Sequence, residues 1–118
     1  MTLSFSSVVL VGVGGMLGAL SRHVVDQQIV GKWSTFTVNV LGSIALGFVV
    51  TAPVGDATAT LAGTGFCGAF TTFSSFAVGV AELLDVGDYR TAARYAFGTL
   101  LAALVGVAIG GAMGGIVG

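Results

Sequence analysis

Charge is what this chain has least of. Only 8% of its 118 residues are Asp, Glu, Lys or Arg, against roughly 25% in soluble domains, whose surfaces must face water. So few charges cannot cover a soluble surface. A 55% hydrophobic composition and a mean hydropathy of +1.04 place the chain in the membrane class. There is one cysteine, Cys67, which excludes an intramolecular disulfide and reads as a small apolar packer. There is one proline, Pro53, near the end of an apolar stretch. No basic run suits nucleic acid and there is no acidic tail; the net charge is −1. No Cys/His spacing suits a metal, and His23 stands alone as an interfacial residue. The segment Gly12 to Gly18 has Leu17 where a dinucleotide fingerprint needs glycine, and it lacks the Gly-Lys-Ser/Thr of a phosphate loop. No carboxylate pair lies inside the apolar stretches. The chain is therefore not expected to be an enzyme.

The few charges divide the chain. They fall at Arg22, Asp26, Lys32, Asp56, Glu82, Asp85, Asp88, Arg90 and Arg94, leaving uncharged stretches of 20, 23, 25 and 24 residues. About 20 residues at ~1.5 Å rise cross a ~30 Å hydrocarbon core. Four spans are expected, at about 3–24, 34–53, 58–81 and 94–117, in one transmembrane domain covering 1–118. A barrel would need short segments of alternating polarity, which are absent, so the fold class is an all-α integral membrane protein. Met1 to Leu20 has no Lys or Arg before its apolar run and no cleavage site, so it reads as a span rather than a signal peptide. Lys32-Trp33, Tyr89 and Tyr95 suit interfacial anchors.

Arg22, Lys32, Arg90 and Arg94 all fall in or beside the first and third connections, and the second has no basic residue. The positive-inside rule predicts a multi-pass cell-membrane protein with those two connections cytoplasmic and both termini outside. The 20 glycines have a packing reading, since small residues let helices approach closely in lipid. Gly14 and Gly18 form one such pair, and Gly98, Ala102, Gly106, Gly110, Gly114 and Gly118 repeat every fourth residue.

Polar residues inside the spans carry more information. Asn39 must face protein, water or a permeant solute, because an unpartnered amide in lipid costs a few kcal/mol. Gly63, Gly65 and Gly68 weaken span three, and Thr71, Thr72, Ser74 and Ser75 follow among Phe70, Phe73 and Phe76. Such a stretch reads as a helix broken or kinked near the midplane. Irregular backbone is tolerated there only where it is buried or lines a cavity.

At these residues the chain resembles the Fluc/CrcB family of fluoride channels. The resemblance rests on Gly14-Gly15-Met16-Leu17-Gly18-Ala19-Leu20-Ser21-Arg22, on Thr37-Val38-Asn39-Val40-Leu41-Gly42-Ser43, and on Gly65-Phe66-Cys67-Gly68-Ala69-Phe70-Thr71-Thr72-Phe73-Ser74-Ser75-Phe76. It covers essentially the whole chain. It implies an antiparallel dimer passing fluoride passively out of the cell, which lowers cytoplasmic fluoride and its toxicity. It also implies a structural, non-transported sodium ion at the dimer centre, held by the backbone carbonyls of Gly68 and Thr71. Implied pore residues are Asn39, Phe73, Phe76, Thr72, Ser75, Tyr95 and Thr99, with Arg22 in the vestibule. Ala103 departs from the family's pattern, where a further hydroxyl is expected one turn beyond Thr99.

Two other readings compete. A small multidrug transporter needs a membrane-embedded carboxylate, and the first three spans offer none before Glu82. A non-conducting structural subunit fits the glycine ridge but leaves the Thr71 to Phe76 cluster unexplained. Membrane lipid surrounds the chain on any of these readings. The four-to-zero basic bias favours a single orientation, so an antiparallel dimer implies a heterodimer with an oppositely oriented paralogue, a homodimer being the alternative.

Overall fold

The computed structural model describes residues 4–117. The first residue of the span expected at 3–24 and the last glycine of the four-residue row, Gly118, lie outside them. The described chain is helical throughout, without a strand, and four of its helical stretches are long and apolar enough to cross a membrane. Helix α1 covers Phe5–Gln28, and Ser4 caps it by accepting from the Ser7 amide at 3.1 Å. Helix α2 covers Lys32–Thr51. The third span, Asp56–Asp85, is composite. It holds a short α3 (Asp56–Thr58), a π-helical stretch (Ala59–Cys67), a short α4 (Gly68–Phe70) and α5 (Phe73–Asp85). Helix α6 runs over Tyr89–Val117.

The connections are tight. Each turns on a glycine in the left-handed region, Gly31 at φ 71°, Gly55 at φ 84° and Gly87 at φ 79°, a conformation that costs glycine little. Each of the four spans overruns the expected one at one end or both, α2 starting at Lys32 and the third span running from Asp56 to Asp85. Helix α1 continues to Gln28, and α6 starts at Tyr89, ahead of Arg94. Charged residues mark where hydrocarbon ends, and a helix can continue through the headgroup layer beyond that point.

Helix α2 packs along α6, and α1 packs along the π-helical stretch and α4. Both contacts depend on small residues. A Cβ on Gly14 or Gly18 would overlap the carbonyl oxygens of Leu61 or Phe66. On the other seam, Gly110 and Gly114 press against the carbonyls of Ile44 and Phe48. The Thr51 hydroxyl crosses that seam to donate to the Gly111 carbonyl at 2.9 Å. Gly98 is different: nothing lies within 4 Å of where its Cβ would be.

The distribution of polarity is inverted relative to a soluble domain. Ser34, Thr35, Thr72 and Thr99 are buried, whereas Met16, Leu20, Phe97 and Leu101 are exposed. Lipid is a good solvent for such a surface, and helix association then rests on close packing and hydrogen bonds rather than on hiding apolar area. Trp33 and Tyr89 are exposed near helix starts, as interfacial anchors are. Tyr95 corrects the anchor expectation, because it is buried at 8% exposure and turned into the bundle.

Gly110→Val should lower the stability of the folded protein by about 1–3 kcal/mol, the usual range for overpacking a tight contact. Gly98→Ala should leave it near wild type. Thermal unfolding of both variants in one detergent checks the contrast.

Candidate functional site

The site begins where the third span leaves helical geometry. Thr71 is extended at φ −78°, ψ 160°, and Thr72 follows at φ −148°, ψ 113°. Two extended residues cannot continue the ladder in which each amide donates to the carbonyl four residues back. In lipid the freed groups need other partners. Asn39 on α2 supplies them. Its Oδ1 accepts from the Thr72 amide at 2.7 Å, and its Nδ2 donates to the Thr72 carbonyl at 3.1 Å. The side-chain amide pairs with the backbone as a neighbouring strand would.

Thr72 also starts the next helix. Its Oγ1 accepts from the Ser75 amide at 3.2 Å, a side-chain N-cap for α5. These two bonds determine which carbonyls are left over. The Thr72 amide would reach the Gly68 carbonyl in a continuous helix, but it is held by Asn39. The Ser75 amide would reach the Thr71 carbonyl, but it is held by Thr72 Oγ1. Gly68 and Thr71 therefore lose their helical donors. A Cβ on Gly68 would meet nothing within 4 Å, so its surroundings are open.

A groove of about 540 Å³ opens beside this point. It is walled by α2, the third span and α6, and it brings together Asn39, Gly68, Thr71, Phe73, Phe76 and Thr99. Ala103, one turn beyond Thr99, borders it as well. Phe73 and Phe76 lie with ring centroids 6.1 Å apart, and Phe73 is 79% exposed. Phe76 also contacts Tyr95, at 5.3 Å between centroids, which ties α5 to α6. Ring edges carry partial positive charge, so a wall of this kind can contact an anion without a fixed cation.

Other residues singled out from sequence lie elsewhere. Thr72 is buried and committed to its backbone contacts. Ser75 borders a second groove with Ser74, Lys32 and Glu82. Tyr95 borders a third, between α2 and α6, and Thr99 lines both that one and the first. Arg22 is half-buried on α1 and borders none of the three. Sequence reasoning missed Thr64 and Ser43 as groove-lining hydroxyls. Their place at helical spacing before Gly68 and after Asn39 was the available signal.

Comparison with known proteins gives a consistent answer. A family model described as CrcB-like protein, Camphor Resistance (CrcB), matches residues 9–111. A protein of Natronomonas pharaonis named fluoride-specific ion channel FluC 2 is 44% identical over 114 residues, covering 95% of this chain and 97% of its own. A protein of the same name from Haloarcula marismortui is 44% identical over 110 residues, covering 91% and 92%. The fluoride-specific ion channel FluC of Chlorobium chlorochromatii is 38% identical over 113 residues, covering 87% and 88%.

Asn39→Ala strips both partners from the Thr72 backbone, and a loss of about 1–3 kcal/mol is expected, the cost of leaving buried polar groups unpaired. Ser43→Ala removes only a bond to a carbonyl within its own helix and should cost much less. Chemical denaturation of the two variants side by side tests the ranking.

Proposed function

The chain belongs to the CrcB family, and on that premise we propose that it is a subunit of a fluoride-specific channel that lets fluoride leave the cell down its gradient. The observation that carries this reading is the groove that gathers Asn39, Phe73, Phe76 and Thr99 beside the extended pair Thr71-Thr72. Fluoride is small and tightly hydrated, so a path for it needs several donors in a narrow space and no charge that would trap it. Hydroxyl, amide and ring-edge contacts meet that requirement. In this reading the extended pair is the break near the membrane midplane. Asn39 keeps one amide hydrogen beyond the bond it donates to Thr72, and that hydrogen is the donor assigned to the ion. Thr72 and Ser75 serve the pathway from the break and from the adjoining groove. Arg22 acts through its field at the end that carries the basic residues.

We assign a structural sodium ion, not transported, to the carbonyls of Gly68 and Thr71. The fit rests on the diversion of their helical donors to Asn39 and Thr72 and on the open space at Gly68. Carbonyl oxygen suits a hard cation. Two carbonyls make half a coordination shell, which calls for a second subunit related by an axis through this point. The open side of the groove and the exposure of Phe73 support an antiparallel dimer closed over that surface. The basic bias puts the first and third connections in the cytoplasm and both termini outside, so the partner is an oppositely oriented paralogue. A homodimer is the alternative, and a conducting homodimer from this chain purified alone would overturn the paralogue assignment.

Fluoride-electrode recording from proteoliposomes loaded with potassium fluoride tests the function. Rapid, fluoride-selective efflux is expected from the assembled dimer. Its absence would leave the chain a structural subunit. Phe73→Ile and Phe76→Ile should cut the flux severely while the dimer survives size-exclusion chromatography. Gly68→Val, which fills the space at the break, should instead abolish the dimer.

A further inference from the structure

We propose that Thr64 is a further donor residue of the ion pathway, set in the groove between the break and the second connection. It stands outside the three blocks of sequence that carry the family resemblance. The inference rests on the channel reading and adds to it a side chain that contacts the ion beyond the break.

A hydroxyl inside a lipid-embedded helix ordinarily bonds to the helix itself, because the carbonyl four residues back lies within reach and no water competes. Ser21, Thr37, Ser43, Thr51, Thr60 and Thr71 each donate to that carbonyl, at 2.6 to 3.0 Å. Thr64 makes no such bond, nor any other side-chain hydrogen bond among the described residues, and it is exposed on the wall of the groove. Thr60 and Thr64 both belong to the π-helical stretch Ala59–Cys67, but what precedes them differs. Behind Thr60 lies an α turn, in which the Ala59 amide still reaches the Gly55 carbonyl at 3.0 Å. Behind Thr64 the turn is wholly π-helical. Amides there reach five residues back, and the wider turn shifts the carbonyl four back from its place beneath the side chain. The hydroxyl of Thr64 is thereby left to the groove.

Its position follows from the neighbours of two glycines. A Cβ on Gly42 would overlap the Thr71 side chain, whereas one on Gly63 would contact Leu46 and Val49, one to two turns farther along α2. The third span therefore passes α2 in the opposite direction, with the break beside Gly42 and Thr64 toward the second connection. Donors are scarce on that side of the break. Helix α6 runs the same way as α2, since Gly106 meets Val40 and Ile44 while Gly110 meets Ile44 and Phe48. Its last hydroxyl in the groove is Thr99, and Ala103 follows. Helix α2 contributes Ser43 and Leu46. The Ser43 proton is held by the Asn39 carbonyl at 2.6 Å, so Ser43 turns lone pairs to the groove, and these repel an anion. Cys67 offers only a weak thiol donor. Thr64 has a proton to give and no charge to trap the ion, which suits a step in conduction.

The test uses the assembled dimer in proteoliposomes, with the fluoride electrode as readout. T64V keeps the shape of the side chain and removes its donor, and T64S keeps the donor without the methyl group. T60V removes a hydroxyl already committed to its own helix, one turn away. Efflux through T64V should fall about tenfold, the order expected when one hydrogen bond to an ion is lost. T64S should recover most of the flux, and T60V should match wild type. Size-exclusion chromatography should show an intact dimer in all three. Equal efflux through T64V and wild type would overturn the inference and leave the channel reading in place. A loss shared by T64S would also overturn it, by making the position one of shape alone. So would a T64V dimer that falls apart, because the hydroxyl would then be a contact with the partner subunit. No efflux from wild type would overturn the channel reading and this inference together.

Discussion

Everything in this fold answers to one constraint: backbone polar groups inside a bilayer must be paired within the protein. Three of the four spans meet it as continuous helix. The third does not, and the exception at Thr71 and Thr72 is made tolerable by a side chain from another helix. Asn39 pairs with both backbone groups of Thr72, and the Thr72 hydroxyl restarts the ladder by capping α5. The break is thus held by defined bonds, and the same bonds divert the amides that would reach the Gly68 and Thr71 carbonyls in a continuous helix.

The glycine seams supply the rest of the scaffold. Because lipid does not drive apolar surfaces together, the helices adhere through backbone-to-backbone closeness, and only glycine permits it at Gly14, Gly18, Gly110 and Gly114. These seams place α1 against the π-helical stretch and α2 against α6. The groove forms where α2, the third span and α6 converge. Packing on the two seams therefore sets the width of the groove, although none of the seam glycines touches it.

Much of the architecture was legible because charge is so sparse. Nine charged residues outline the four spans, and three short blocks of sequence point to the family. Helix ends were less legible, since Arg90 and Arg94 bound the hydrocarbon but sit inside α6. At the site, Asn39, Gly68, Thr71, Phe73, Phe76 and Thr99 share one groove, whereas Ser75, Tyr95 and Arg22 do not border it. Helical spacing relates residues only on one side of a break, because two extended residues reset the phase of the next helix. That is why Phe73 and Phe76 could be paired from sequence, while the partner of Asn39, on a different helix, could not. Gly63 and Gly65 marked the stretch as a weak helix, but nothing in the composition marked it as π-helical.

The pairing of Asn39 with Thr72 also bears on how the protein is made. The two residues are separated by 33 positions and lie on successive spans. At typical synthesis speeds of 5–20 residues per second, Thr72 emerges about two to seven seconds after Asn39. For that interval the second span holds an amide whose final partner does not yet exist. Water at the translocon or a neighbouring chain must shelter it until the third span arrives. The contact that stabilises the finished protein is thus a debt carried during biogenesis, and the order in which the spans leave the ribosome decides how long it stands.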